Sequence, residues 1–458
     1  MSTTINKKIT FIYIALFLCG SLLSKAQSNT LDAYIQEAFS NNNGLKQQQL
    51  QWQKSLFALK EARSLFYPNV SVLGSYNKAD GGRTIDLPIG DLFNPVYSTL
   101  NQITASNSFP TLKNESILLN PDNFYDAKFR TVLPLVDAEI YYNKKIRKVM
   151  ISQQQAAVNV YKRELVKEVK YAYYQYYQAS KAIDIYNNSL QLVNENIRVN
   201  ESLLRNGVRN STALTRAETE KQKINASITE SENNRKNAQA YFNFLLNKPL
   251  TEVVVIDTEA VAQLPNVVED NALDVTQREE LLQLKDATSI YALNTQLKRA
   301  YLVPKVNTSL DLGSQGFNWQ YDNKTQYYFW GVNLQWDLFA AGRNNYKIKQ
   351  ASIDQAGSSI AYDDAEKSFM LQLTQALNNY NSALANYKSA EEQLQLATKY
   401  YNDQLKVYKE GQLLYIELID ALNQLTTAKL QESITLANVH IAVAAIERNK
   451  ASYPINNK

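Results

Sequence analysis

The residues able to do chemistry are few: one histidine, His440, between Val439 and Ile441, and one cysteine, Cys19. A lone imidazole with no persistent thiol leaves soft-metal coordination and histidine-based nucleophilic catalysis almost nothing to work with. No Walker A loop and no dinucleotide fingerprint occurs. No enzymatic activity, metal or cofactor is therefore expected, and His440 reads as a packed or surface helix residue. Among the carboxylates, Glu417 and Asp420 are three apart, which places both on one helix face. Taken alone, such a pair is two solvated charges in a first helical turn, favoured by the helix dipole. Its meaning depends on the elements that hold it.

Those elements come twice. Ser-Leu-Phe-Tyr-Pro-Asn-Val-Ser-Val at 64–72 is matched by Ala-Tyr-Leu-Val-Pro-Lys-Val-Asn-Thr at 300–308, so that Pro68 and Pro304 stand 236 positions apart, as do Leu45 and Leu281. Leu-Arg-Asn-Gly at 204–207, followed by Leu214 and Ala217, is matched at an offset of 204 by Tyr-Lys-Glu-Gly at 408–411, Leu418 and Ala421. A duplication of this size means two copies of one structural module.

The N-terminus reads as a secretory signal over 1–26. Lys7 and Lys8 precede an apolar run from Ile9 to Leu23, and Ser24-Lys25-Ala26 offers small residues for cleavage. Cys19 leaves with it, so no disulfide is expected. Removing Lys7, Lys8 and Lys25 takes the 48 basic residues to 45 against 44 acidic ones, a charge of +1 that gives no basis for nucleic-acid binding.

No proline lies between Pro134 and Pro249, or between Pro304 and Pro454. A proline inside a helix costs about 3 kcal/mol, so these windows allow very long helices. Val169, Ala172, Tyr176, Ala179, Ile183, Leu190, Val193, Ile197 and Leu204 keep a 3–4 spacing, and so does the run from Phe369 through Leu373, Tyr380, Tyr387, Leu394 and Tyr401 to Tyr408. This is a coiled-coil seam. Long helices are expected at about 140–205 and 343–409, with shorter ones at 44–66, 212–248, 277–302 and 412–450. A 65-residue helix rises roughly 100 Å, more than a compact domain spans. In each repeat, one long helix should lie beside two stacked short ones.

Two strands precede each long helix, at about 69–77 and 125–134, then 305–313 and 326–338. Val306, Thr308, Leu310 and Leu312 alternate with Lys305, Asn307, Ser309 and Asp311, and Trp330, Val332, Leu334 and Trp336 alternate with Gly331, Asn333 and Gln335. Such patterning gives each strand one apolar face and one polar face. Aromatic residues gather at the strand ends: Tyr76, Phe124, Tyr125, Trp319, Tyr327, Tyr328 and Trp336. They suit an aromatic girdle of an outer-membrane barrel. Four strands cannot close a barrel, and an open edge cannot face lipid, so if these strands span a membrane several copies must share one barrel; three copies would give twelve strands.

In this ordered, duplicated set, the chain resembles the TolC-type outer-membrane efflux proteins over essentially its whole mature length. The resemblance is carried by the junctions Tyr67-Pro68 and Val303-Pro304, the stretch from Asp337 to Arg343, and the turns at Gly207 and Gly411. It implies a mainly α fold with a small antiparallel β part. Long antiparallel coiled-coil helices form two tandem repeats, and a trimeric twelve-stranded barrel continues into a periplasmic helical tunnel. It implies a homotrimer in outer-membrane lipid, docked on a periplasmic adaptor protein and an inner-membrane pump. Such a trimer is an exit duct for efflux or type I secretion, gated at its periplasmic tip. The family's acidic gate maps onto Glu417 and Asp420. Their first-repeat equivalents are Ala213 and Arg216, so only the second hairpin would supply the ring. Adaptor contacts map onto the tips, at Gly207, Val208 and Arg209 and at Gly411, Gln412, Leu413, Leu414 and Tyr415.

The expected organisation is therefore a signal at 1–26, a first repeat at 27–248 with its tip turn at 206–211, a linking belt segment at 249–275, a second repeat at 276–453 with its tip turn at 409–414, and a tail at 454–458. The first repeat carries about 33 extra residues within 79–123. Rich in glycine and proline, they read as a long loop beyond the barrel, facing outside. The competing reading is a soluble periplasmic coiled-coil adaptor or scaffold. It accounts for the helices but not for the strands, and detergent dependence separates the two.

Overall fold

The computed structural model describes residues 30–207, 210–265 and 273–455. The signal segment and two tip residues, Val208 and Arg209, lie outside the described residues. The chain divides into two units, one built from 57–148 and 290–355, the other from the remainder.

The first unit is organised by a four-stranded antiparallel sheet of β1 (Asn69–Asn77), β4 (Phe124–Val136), β5 (Lys305–Phe317) and β6 (Gln326–Gln335), in that spatial order. Strands from the two repeats thus meet at the β4–β5 seam, and β1 and β6 are open edges. The register pairs Val72 with Phe129, Phe129 with Leu312, and Leu312 with Tyr328. Side chains directly opposite share a face, so the register fixes which residues lie together. Strand β6 stops at Gln335, so 336–338, read as strand from its alternation, lies beyond the sheet.

The stretch 79–123 is not a bare loop. It holds a two-stranded ribbon of β2 (Thr84–Leu87) and β3 (Glu115–Leu118), with the 15-residue helix α3 (Ile89–Ile103) between them. Pro95 lies inside that helix, which is why the proline-rich composition concealed it.

The second unit is helical. It contains α1 (Thr30–Asn41), the start of α2 (Asn43–Ser64), most of α4 (Ala138–Arg205), α5 (Ser211–Leu245), the short α6 (Thr258–Ala262), the start of α7 (Glu279–Arg299), most of α8 (Arg343–Lys409), and α9 (Tyr415–Lys450). The long helices are continuous over 68 and 67 residues. The Asp137 carboxylate caps α4 by accepting from the Glu139 and Ile140 amides at 2.8 and 3.1 Å, satisfying donors that a helix start leaves unpaired. The expected seam is the core. Val169, Ala172 and Val193 are fully buried on α4, Leu373 and Tyr408 on α8, and Leu418 and Leu422 on α9. Alternating small and aromatic residues let helices approach closely while each tyrosine contributes a large apolar area.

Candidate functional site

In the sheet, Val70, Val72, Phe129, Leu310, Leu312, Tyr328, Trp330, Val332 and Leu334 share one face by the pairing register. Most are wide open: Val72 is 71% exposed, Trp330 65% and Leu334 67%. A continuous apolar surface on both edges and centre of a sheet requires an apolar solvent or a partner. Among the described residues no helix is long and apolar enough to cross a membrane.

The opposite face is polar. Arg130 donates two hydrogen bonds to Asp311, at 2.8 and 2.5 Å, Lys128 pairs with Asp126 at 2.5 Å, and the Tyr327 hydroxyl donates to Asp126 at 2.8 Å. A bidentate guanidinium–carboxylate pair fixes orientation as well as charge. The same register corrects the girdle. Phe124 and Tyr327 belong to this polar face, Phe124 against Phe317 with ring centroids 5.1 Å apart. Clustering at strand ends revealed position along the strand but not side. On the apolar face, Trp319 stacks on both Tyr76 and Tyr125, at 5.2 and 5.5 Å. Tyr76 and Tyr328 are exposed there, whereas Tyr125 is buried and donates to the Gln320 carbonyl at 2.7 Å. Trp336, exposed, follows the end of β6.

At the tips, both long helices end as their sequences predict. Gly207 and Gly411 have φ of +71° and +79°, a conformation that costs glycine little. Gly411 donates to the Tyr408 carbonyl at 3.0 Å and Gln412 to that of Val407 at 3.2 Å, the paired bonds of a Schellman end. Glu417 and Asp420 are both exposed in the first turns of α9, and Asp420 accepts from Gln424 at 2.7 Å. Ala213 and Arg216 occupy the matching positions on α5. Leu414 and Ile416 are exposed and Leu413 is half-buried. Tyr415, expected as an exposed contact, is instead buried at 4% with Leu418, Tyr401 and Tyr408, because it begins the core stripe of α9. Among the described residues its hydroxyl has no hydrogen-bond partner, and burial raises its pKa.

His440 is buried, stacked on Tyr174 at 4.7 Å, and its Nε2 bonds the Val261 carbonyl at 2.8 Å. Burial lowers its pKa, so it is a neutral donor. It is a packing residue. A cluster that the sequence did not reveal lies nearby in the same unit. Arg448 donates to Glu164 at 2.9 Å and to Glu280 at 2.6 Å, and Arg278 donates to Glu280 at 2.9 Å. Burial pushes the Glu280 carboxyl up, but the two guanidinium hydrogen bonds outweigh it and hold the pKa down at about 2. Lys170 pairs with Glu447, and Arg163 with Glu279. Apart from Arg278 and Glu280, the partners are more than a hundred residues apart in the chain, and no local pattern announces them.

Residues 278–449, the second repeat, match the sequence profile of the outer membrane efflux proteins. The efflux-protein resemblance extends to the fold of the whole chain. The outer-membrane channel OprN superposes with a TM-score of 0.73 at 16% identity, over 93% of this chain and 90% of that one. CusC, described in relation to transmembrane channel formation, gives 0.73 at 15%, covering 92% of each chain. The outer membrane protein VceC from Vibrio cholerae gives 0.71 at 12%, over 92% and 95%. No curated protein sequence matches the chain. The mainly helical fold with a small antiparallel sheet is thus that of outer-membrane channels, and the proteins matched are channels rather than enzymes.

Proposed function

We propose that three copies of this efflux-family chain close a twelve-stranded barrel in the outer membrane and continue as a periplasmic exit duct for small molecules or proteins, passive and served by an adaptor protein and an inner-membrane pump. The observation that carries this reading is the exposed apolar face of a sheet whose two edges, β1 and β6, are both unpaired. In hydrocarbon each unpaired backbone group costs several kcal/mol, on the order of a full desolvation penalty, so the sheet must close on itself through other copies. The polar face, with its Arg130–Asp311 and Lys128–Asp126 pairs, then lines water. Tyr76, Trp319, Tyr328 and Trp336 stand as the girdle.

In this assembly Glu417 and Asp420 form the gate, six carboxylates from three α9 helices around the axis. Their exposure in the single chain and the absence of acids at Ala213 and Arg216 support that assignment. The adaptor docks on the tips, where Gly207, Gly411, Gln412, Leu413 and the exposed Leu414 offer a turn with apolar side chains, alongside Val208 and Arg209 from outside the described residues. Tyr415 supports that surface from beneath.

The test is the mass of the detergent-purified mature protein by light scattering, with negative-stain imaging. A particle of three protomers is expected. A detergent-independent monomer or dimer would sink the barrel and leave a soluble coiled-coil scaffold.

A further inference from the structure

Trp319 is held more firmly than a tryptophan at a membrane interface needs to be. It lies in the turn between β5 and β6 with φ of +56°, beside Asn318 at +50°. Asparagine tolerates the left-handed region. A bulky side chain is strained there, and such strain persists only where the surroundings enforce it. Here they do. The Asn318 amide donates to the Asn123 carbonyl at 2.8 Å, and the Gln320 amide to the Phe317 carbonyl at 3.1 Å. The Tyr125 hydroxyl donates to the Gln320 carbonyl at 2.7 Å and lies 3.0 Å from the Ser314 hydroxyl. The Tyr76 hydroxyl donates to the Asn123 side chain at 2.8 Å.

These bonds build a flat platform. Tyr76 and Tyr125 are register partners on adjacent strands, and the indole lies almost parallel to both rings, at 14° and 3°. It nevertheless keeps 67% of its surface exposed. Covering both faces of an indole would leave far less, so the two tyrosines back one face and the other is open. Tyr328 and Trp330, as exposed on the same side of the sheet, have no ring beneath them among the described residues.

We infer that the open face of Trp319 seats the sugar ring of a glycolipid headgroup in the outer leaflet. The inference rests on the barrel proposed above, which puts the apolar face in lipid and turns this end of the sheet, the one away from the junctions with α2 and α4, to the outside. A pyranose ring presents axial C–H bonds as a nearly flat apolar patch with hydroxyls around its edge. A rigid aromatic face matches the patch, and nearby polar groups take the hydroxyls. Such groups are in place: Gln320 follows Trp319, and Asn123 bonds both the Asn318 amide and the Tyr76 hydroxyl. A glycerophospholipid headgroup has no such patch. An ammonium also sits on an indole face, but the carboxylates at hand are engaged. Asp122 holds Lys78 at 2.9 Å and the Ala79 amide at 3.1 Å, and Asp322 holds the Lys324 and Thr325 amides at 2.7 and 3.1 Å. The platform also continues into the exposed row of Leu312, Tyr328 and Trp330, an apolar track for the acyl chains that a free saccharide would not use.

The experiment is native mass spectrometry of the detergent-purified mature protein, which reports particle mass and bound lipid together. The probes are an acylated glucosamine disaccharide, phosphatidylethanolamine with the same acyl chains, and the disaccharide without chains. The glycolipid should be retained over the other two. Trp319→Leu, apolar but without a ring face, should weaken its binding about tenfold, and Trp319→Tyr should restore most of it. Equal retention of phosphatidylethanolamine makes Trp319 an ordinary interface residue and overturns the seat. Equal binding of the free disaccharide overturns the lipid as the source. Undiminished binding by Trp319→Leu places the glycolipid elsewhere. Since that substitution falls in a strained turn, a second measure uses the wild type alone. The glycolipid should protect Trp319 from oxidation by N-bromosuccinimide, located by peptide mapping, and phosphatidylethanolamine should not; equal oxidation with either lipid rejects the seat. A trimer that retains no glycolipid overturns the seat and leaves the barrel standing, whereas a monomeric particle overturns the barrel and the seat with it.

Discussion

The two repeats share one order of elements and differ at three places along it. Between β1 and β4 the first repeat carries a helix and a ribbon; between β5 and β6 the second has an eight-residue turn. Within the helical unit, Glu417 and Asp420 of the second repeat replace Ala213 and Arg216 of the first. A third difference lies where α2 and α7 begin. Asn42 is buried and caps α2, accepting from the Leu45 amide at 2.9 Å while donating to the Leu245 carbonyl at 2.8 Å. The residue 236 positions later is Arg278, equally buried, but tied to Glu280 and so to Arg448. Duplication therefore preserved the seam and the junction prolines, which any such frame needs. The copies were free to diverge where the chain meets a mouth, a tip or a neighbour.

The largest effect separates the two faces of the sheet, where both repeats contribute strands. Leu312→Arg puts a cation on the apolar face and should cost about 2–4 kcal/mol if that face meets the bilayer midplane. Asn307→Arg, on the polar face five residues away, should cost little. The measurement is the yield of trimer refolded into lipid vesicles. Leu312→Arg should abolish most of it and Asn307→Arg should leave it. Equal yields would mean that the face does not meet lipid.

How much of this was written in the sequence depends on whether the cause was local. The helix expected at 343–409 spans Arg343–Lys409, because the proline-free window, the 3–4 spacing and Gly411 all act within a few turns. Strand positions were legible through alternation, and so was the existence of two faces. Which aromatics stand on which face was not, because it depends on register between strands up to 200 residues apart. Hence the sequence groups Phe124 and Tyr327 with the girdle, while the register puts them on the polar face. Tyr415 differs from expectation for a related reason: the exposure of Leu414 beside it does not carry over, because its helical phase with Leu418 and Leu422 turns it inward. The module at 79–123 hid its helix because the bonds that hold it come from Asn94 and Asn101 to a backbone segment, a pattern with no periodicity. Glu417 and Asp420 were found only through resemblance, and their role in a ring needs three copies.

An intermediate effect compares the two buried helix starts. Glu280→Gln removes one partner from a buried ion cluster and should cost roughly 3 kcal/mol at neutral pH. The Glu280 pKa is depressed in the fold, from 4.5 to about 2. Its stabilisation is therefore present above the unfolded value and is lost as pH falls from about 4.5 towards 2. Denaturant titrations of wild type and variant should converge across that window. Asn42→Ala loses neutral hydrogen bonds worth about 1–3 kcal/mol, and its cost should not change over the same range. A pH-independent penalty for Glu280→Gln would show that the cluster acts through shape and not through charge.

The smallest change in stability belongs to the tips, and there the comparison is sharpest in function. Glu417 and Asp420 are exposed, so Glu417→Gln with Asp420→Asn should alter stability by no more than about 0.5 kcal/mol. In the proposed trimer the same substitutions remove six negative charges from one ring. A ring of carboxylates concentrates cations and excludes anions at close range, an effect that salt screens over about 10 Å at 0.1 M. Cation-over-anion selectivity in planar bilayers should therefore fall in the double variant at low salt and approach the wild type at 1 M. Arg216→Ala, at the equivalent place in the first repeat, should change selectivity far less, because α5 contributes no acid to the ring. If Arg216→Ala raised cation selectivity by as much as the double variant lowers it, both hairpins would face the pore at this level, and the asymmetry between the repeats at the tip would be one of charge alone.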